Sequence, residues 1–217
     1  MGMSGSTCMM TATQSRALMK GWRRFLSPIS GLLLVLGLSG CDVNRIPTLD
    51  EQTKAAWAQV ENQYQRRADL IPNLVATVKG YASHERETLQ AVTEARAKVG
   101  SMRLDAAALS DPAQMKAFEQ AQGQLSGALQ RLMVVAEKYP DLKANQNFLS
   151  LQAQLEGTEN RISVARRDYI AAVQAFNTEI RTFPGLIWHK VLYSELAPKE
   201  NYEATKPGAE QAPEVNF

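Results

Sequence analysis

Apolar residues recur at steps of three and four over most of the chain. The clearest stripes cover residues 57–81, 118–139 and 148–180, and a weaker one covers 89–99. This spacing places apolar side chains on one face of an α-helix, and no stretch alternates as a β-strand does. Because the long stripes also carry heptad spacing, they predict an all-α fold: an antiparallel up-and-down helical bundle of four long helices.

Start and stop signals divide the stripes. Thr48 and the glutamate three residues later form a capping box for the first helix, and Asp111 precedes a proline that suits the first position of the third. Asp141 is expected to cap the last long helix. Pro72 lies inside the first stripe and should kink or split that helix. As an alternative to separate rods, the first two helices join as one bent rod.

The N-terminal segment differs in composition from the rest. Residues 1–40 contain four basic and no acidic residues, and an apolar run follows at 25–38. That run is short for a membrane-spanning helix, so residues 1–40 are predicted to be a secretory signal peptide, with Met19 as a candidate true start. Leu-Ser-Gly-Cys, ending at Cys41, resembles the bacterial lipobox, in which the cysteine becomes the lipidated first residue.

The anchor sets the expected location. We predict lipidation of Cys41, with palmitate-type acyl chains that together give stable attachment, or alternatively an uncleaved N-terminal helix. Asp42 resembles a sorting signal that retains lipoproteins in the inner membrane. The body is therefore expected on the extracytoplasmic or periplasmic side of that membrane.

The remaining chain divides into three parts. Residues 41–47 form a tether, 48–197 the bundle, and 198–217 an extended or disordered tail rich in proline and acidic residues. The apolar stretch 186–193 includes Trp188. It is expected either to cap the bundle or to be exposed for a partner or the membrane surface.

Several ordered segments resemble the hallmark sequences of the LemA family of bacterial membrane-associated proteins. They are RRADLIPNLV (66–75), VKGYASHE (78–85), YPDLKAN (139–145) and TENRI (158–162). The resemblance covers about residues 48–185. It implies an N-terminally anchored helical bundle with no established enzymatic activity and no catalytic residues to transfer. The lipobox is a departure, because many relatives have a simple transmembrane anchor.

Polar residues in these segments are the candidate site. Arg67 falls where the first stripe expects an apolar residue, and antiparallel pairing could bring it to Glu159. A charged layer of this kind fixes helix register at some expense of stability. The predicted structural polar layer comprises Arg67, Asp69, Asn73, Glu159, Asn160 and Arg166. A metal site built from Asp69, Glu94 and Glu159 is a weaker alternative, since the sequence has no Glu-x-x-His pair.

Charge and composition exclude several classes of function. Beyond residue 40 the chain carries 20 basic and 22 acidic side chains, so a nucleic-acid binder is not expected. No nucleotide-binding motif, metal set or cofactor motif is present, and we predict neither a cofactor nor an enzyme. The favoured function is a membrane-anchored scaffold or adaptor that binds an unidentified envelope or membrane protein, with Trp188 as a partner contact. The alternative is a self-associating structural envelope protein.

Overall fold

A computed structural model describes residues 43–102 and 108–202 of the 217-residue chain. Within these residues every regular element is helical, which confirms the all-α prediction. The elements are α1 (Arg45–Tyr81), α2 (Arg86–Gly100), a short 3-10 helix (Ala108–Ser110), α3 (Pro112–Ala136), α4 (Pro140–Lys143), α5 (Gln146–Glu179) and α6 (Gly185–Leu192). The described residues from Ile46 onward belong to one compact unit, the body discussed below. Cys41, Asp42 and the predicted signal peptide lie outside the described residues.

The two longest helices run in opposite directions. The Asn145 side chain, just before α5, donates a 2.9 Å hydrogen bond to the Tyr81 hydroxyl at the end of α1. At the other end, Ile46 from the first turn of α1 is buried with Phe176 from the last turn of α5. At 1.5 Å per residue, α1 is about 55 Å long and α5 about 50 Å. None of the helices in the described ranges is both long and apolar enough to cross a bilayer.

The second helix folds back along the first, so α1 and α2 do not join as one bent rod. Arg96 Nε of α2 donates a 2.9 Å hydrogen bond to the Ala68 carbonyl in the middle of α1. Leu89 and Val92 of α2 are buried in the same cluster as Leu74 of α1. Folding back buries apolar stripes on both helices, whereas a continuous rod would leave the short stripe of α2 without an antiparallel neighbour.

Pro72 lies within α1 but does not split it. A proline removes the N–H that would bond the carbonyl four residues earlier, which here is Ala68. Arg96 donates to that carbonyl. A cation from α2 therefore satisfies the acceptor that the proline frees, and α1 continues through Pro72.

Helix caps agree with the sequence at one start signal and differ at others. Asp111 caps α3 as predicted, because its carboxylate accepts from the backbone N–H groups of residues 113 and 114. At α5 the cap is Asn145, which accepts from residues 147 and 148, whereas Asp141 lies inside the four-residue α4. Thr48 is inside α1, which begins three residues earlier.

The core contains three buried clusters in sequence along the bundle. One joins α1, α2, α3 and the start of α5 around Leu74 and Leu125. The second is aromatic, and Trp57 makes edge contacts with Phe118 at 5.4 Å and Tyr169 at 5.2 Å between ring centroids. The third is small and closes the end at which α1 begins and α5 finishes.

Residues 199–202, which we call the C-terminal strap, lie along the bundle without helical structure. Asn177 clamps the strap: its side chain accepts from the Lys199 N–H at 2.9 Å and donates to the Lys199 carbonyl at 2.8 Å. Glu200 N–H donates to the Leu109 carbonyl, and the Tyr202 ring stacks on Trp57. The sequence reading assigned these residues to the tail and did not anticipate this packing.

A buried ion pair also holds the strap. Lys199 Nζ lies 3.1 Å from Asp50 Oδ1, and Lys54 Nζ lies 2.8 Å from Asp50 Oδ2. Burial by itself would raise the pKa of Asp50, but the hydrogen bonds and charges of Lys54 and Lys199 outweigh it and hold that pKa below its usual value. Because the folded-state pKa is the lower one, this interaction stabilises the fold above about pH 4 and is lost as pH falls through the lowered pKa.

We predict that Arg96→Met and Pro72→Ala are energetically coupled. Alone, Arg96→Met should lower the free energy of unfolding by about 1–3 kcal/mol, since it leaves the Ala68 carbonyl without a donor. In a Pro72→Ala background the loss should shrink, because residue 72 then supplies the missing N–H. Urea unfolding of the double-mutant cycle measures the coupling, and Lys98→Met is the exposed control on α2. Equal losses in both backgrounds would contradict this account.

We also predict that Asp50→Asn lowers the free energy of unfolding at pH 7 by up to about 3 kcal/mol, because Lys199 remains buried without its counter-charge. The wild-type protein should lose that difference on acidification below about pH 4, while the variant changes less. Glu51→Gln removes an exposed carboxylate next to the same Lys54 and is the matched control. Parallel pH profiles of the wild type and Asp50→Asn would rule out the proposed role of this pair.

Candidate functional site

Arg67 is a buried cation in the middle of the bundle. It lies on the core face of α1, and its side chain reaches both α3 and α5. Nη1 donates to Glu159 Oε2 at 2.9 Å and to Ser126 Oγ at 3.0 Å, while Nη2 donates to Gln122 Oε1 at 2.6 Å. The guanidinium also lies 5.1 Å from the Tyr64 ring centroid, a cation–π distance. One residue therefore links three helices through hydrogen bonds.

The partners of Arg67 differ in burial. Gln122 is buried, whereas the Glu159 side chain is 57% exposed. The negative charge thus keeps its contact with water, and Arg67 bears most of the loss of hydration. A buried charge requires such pairing and hydrogen bonding to be tolerated.

An open cleft of about 620 Å³ lies above this layer, between α3 and α5. Its α3 wall includes Gly123 and Gly127, and a Cβ atom placed on either would have no atom within 4 Å apart from its own stretch of helix. The volume falls within the range of binding pockets for small molecules or short segments. The lining comprises Tyr64, Arg67, Glu119, Gln122, Gly123, Ser126, Gly127, Leu129, Gln130, Met133, Gln152, Leu155, Glu156, Glu159, Arg166 and Tyr202.

The cleft combines an apolar surface with a few defined polar groups. Arg166 lies over the Tyr202 ring at 4.2 Å from the centroid. Burial raises the pKa of both Tyr64 and Tyr202, so both phenols are protonated at neutral pH. Gln122 Nε2 is buried and has no hydrogen-bond partner in the described part of the protein. This amide N–H₂ is a donor that a bound segment could use.

The structure brings together only part of the predicted polar layer. Arg67 and Glu159 form an ion pair, and Arg166 faces the same cleft. The other three predicted members are exposed, and one of them, Asp69, accepts from Gln65 Nε2 at 2.8 Å. The exposed members are Asp69, Asn73 and Asn160.

Sequence reasoning missed two partners of Arg67, namely Gln122 and Ser126. A signal was present: Gln122 follows Phe118 by four residues and therefore falls on the core face of α3. The neighbouring Ala121 fits the same apolar stripe, so the stripe is unbroken without Gln122. A glutamine at a core position indicates a buried hydrogen-bond partner.

The weaker metal alternative gains no support from the geometry. Asp69 bonds Gln65, Glu94 accepts from Gln90, and Glu159 pairs with Arg67. Across residues 43–102 and 108–202, no three His, Cys, Asp or Glu side chains are grouped in a way that could hold a metal ion.

We predict that Arg67→Met lowers the free energy of unfolding by about 1–3 kcal/mol, because the buried Gln122 carbonyl oxygen loses its donor. Adding Gln122→Leu should recover most of this loss, since replacing both partners by apolar groups leaves no unsatisfied acceptor. Chemical denaturation of both variants, with circular dichroism to verify helix content, provides the measurement. A double variant as unstable as the sum of the single variants would refute the proposed network.

Comparison with known proteins identifies the family. The LemA family model matches residues 56–217. Magnetosome protein MamQ 2 of Paramagnetospirillum magneticum is 28% identical over 183 residues, which cover 77% of this chain and 66% of that protein. Protein LemA of Metamycoplasma hominis is 29% identical over 142 residues, which cover 65% of this chain and 58% of that protein.

The chain therefore spans less than two thirds of the length of these relatives. None of their names states an enzymatic activity. The family match covers well over half of the chain and includes every residue of the Arg67 network. The protein is a member of the LemA family.

Proposed function

We propose that this protein is a non-enzymatic, membrane-anchored adaptor that binds a helical segment of another envelope protein in the cleft between α3 and α5. The observation that carries the proposal is the open cleft, with a hydrogen-bonded polar floor and a buried amide donor that has no partner among the described residues. Family membership supports a helical, non-catalytic role, because the names of the relatives describe no reaction.

The anchor in this proposal is the lipid on Cys41. Several acyl chains hold a protein stably at a bilayer, where a single chain gives only reversible binding. The basic and apolar residues before Cys41 support secretion, which would place the bundle outside the cytoplasm, and Asp42 favours retention in the inner membrane. An uncleaved N-terminal helix is the alternative anchor.

The shape of the cleft favours a helix as its occupant. Gly123 and Gly127 are four residues apart, so they lie on one side of α3. Neither has a side chain, and the space beside each is open. Glycines at this spacing allow another helix backbone to approach closely. Apolar contacts would come from Leu129, Met133 and Leu155.

The polar groups of the cleft define the complementary surface. Gln122 Nε2 requires an acceptor, such as a side-chain oxygen on the partner helix. Arg166 and Glu156 provide one charge of each sign along the lining. The expected partner segment is therefore an amphipathic helix with small and apolar residues on its buried face, one acceptor, and charges of both signs at its edges.

The test is crosslinking in living cells of the native host. A photo-crosslinking amino acid in place of Gln130 should give a reproducible crosslinked product with one membrane protein, which mass spectrometry identifies. Gly127→Trp should abolish the product because the indole fills the cleft. Gly157→Trp is the matched control, since Gly157 is also a helical glycine with open space but does not line the cleft.

Three further results would decide between the adaptor proposal and its alternatives. Cys41→Ala should remove the lipid, release the protein from the membrane fraction and lose the partner. If the only products are crosslinks between copies of this chain, the adaptor proposal fails and a self-associating structural envelope protein becomes the better explanation. A product that survives Gly127→Trp would show that the partner binds elsewhere.

A further inference from the structure

A second surface lies on α6 and the residues just before it. Phe183 is 80% exposed and Val191 is 70% exposed, and Ile187 and Leu192 are about half exposed. Residues 183, 187 and 191 are spaced by four, which places the last two on one side of α6. We call these four side chains the α6 apolar face. Contiguous exposed apolar side chains of this kind indicate an interaction surface.

The other side of α6 is fixed to the body. Trp188 packs against the cluster formed by Ile46, Phe176 and Ile180. His189 Nε2 lies 2.9 Å from the Leu196 carbonyl oxygen. Gly185 begins the helix so close to Glu179 that a Cβ atom there would lie 2.3 Å from the Glu179 carbonyl oxygen. The α6 apolar face is therefore held outward by a packed helix.

This surface lies at the end of the body at which the chain enters it. Ile46 shares the buried cluster with Trp188 and follows Cys41 by only five residues. Five residues span at most about 18 Å even when fully extended. A lipid on Cys41 would thus keep this end of the bundle close to the bilayer. The opposite end of the bundle is much farther from this attachment point. The exposed Leu149 near the start of α5 lies about 45 Å along that helix from Glu179.

Charge also suits a membrane surface. The helix α6 carries Lys190 and His189 and no acidic residue, and the exposed Arg181 precedes it. Basic side chains beside an apolar face bind anionic headgroups while the apolar side chains enter the acyl boundary. We propose that the α6 apolar face lies in the interface of the lipid bilayer and fixes the orientation of the bundle on the membrane. This inference rests on the anchoring part of the proposed function.

The experiment places a reporter on the α6 apolar face of the full chain. In a Cys8→Ser background, Val191→Cys is labelled with the polarity-sensitive fluorophore NBD after purification and insertion into phosphatidylethanolamine–phosphatidylglycerol vesicles. Val164→Cys is the matched control, a valine on α5 that is 46% exposed and distant in sequence. The Cys8→Ser parent without an added cysteine measures labelling of Cys41 itself.

We expect the label at residue 191 to emit at shorter wavelength than the label at 164. Nitroxide-bearing lipids should quench it several-fold more strongly, and aqueous iodide should quench it less. If the protein floats with the vesicles but both labels behave as in water, the inference is overturned and the anchor stands. If the protein does not float with the vesicles, the anchoring part of the proposed function is contradicted, and the inference that rests on it is overturned as well. If the label at 191 is shielded from both quenchers, a second copy of this chain covers the surface instead of lipid, and the inference is overturned.

Discussion

The buried Arg67 links the three longest helices through hydrogen bonds. Removing the Arg67 guanidinium from water is unfavourable by several kcal/mol unless the charge is paired and hydrogen-bonded. Both terminal nitrogens donate, whereas Nε is buried without a partner among the described residues. The partners of Arg67 come from α3 and α5, so all three helices must take one axial position relative to each other for the charge to be satisfied. Apolar stripes alone would tolerate a shift of one helix turn, because leucine packs against leucine in either register. The polar network does not tolerate that shift.

The same principle acts at two other places. Pro72 leaves one carbonyl of α1 without its helical donor, and Arg96 meets it only if α2 folds back at the observed position. Asn177 bonds both backbone groups of Lys199, while Asp50 pairs with its side chain. In each case a specific hydrogen bond or ion pair selects one packing from several that would bury similar apolar area.

Two surfaces of the described part of the chain are open for binding. Small residues on α3 line the cleft above Arg67, and the Arg67 hydrogen bonds form its floor. The α6 apolar face is exposed although its own helix is packed against the end cluster. In the functions proposed above, one surface binds a helix of another protein and the other binds the lipid bilayer. Together the two proposals describe a body that is anchored with a fixed orientation and keeps its cleft accessible.

The periodicity of the sequence determined that the protein is helical and located most of its long helices, since amphipathic stripes depend only on local spacing. The residues before Cys41 likewise predict the cellular location. The segments around 66–75 indicate the family, and neither inference requires a structure. Only the tertiary structure decided that α1 continues through Pro72, because the donor for the freed carbonyl comes from a residue 28 positions later. It also showed that Gln122 accepts a hydrogen bond from Arg67 and that the C-terminal strap packs on the bundle. These features depend on partners distant in the chain, and local spacing holds no information about which helices meet.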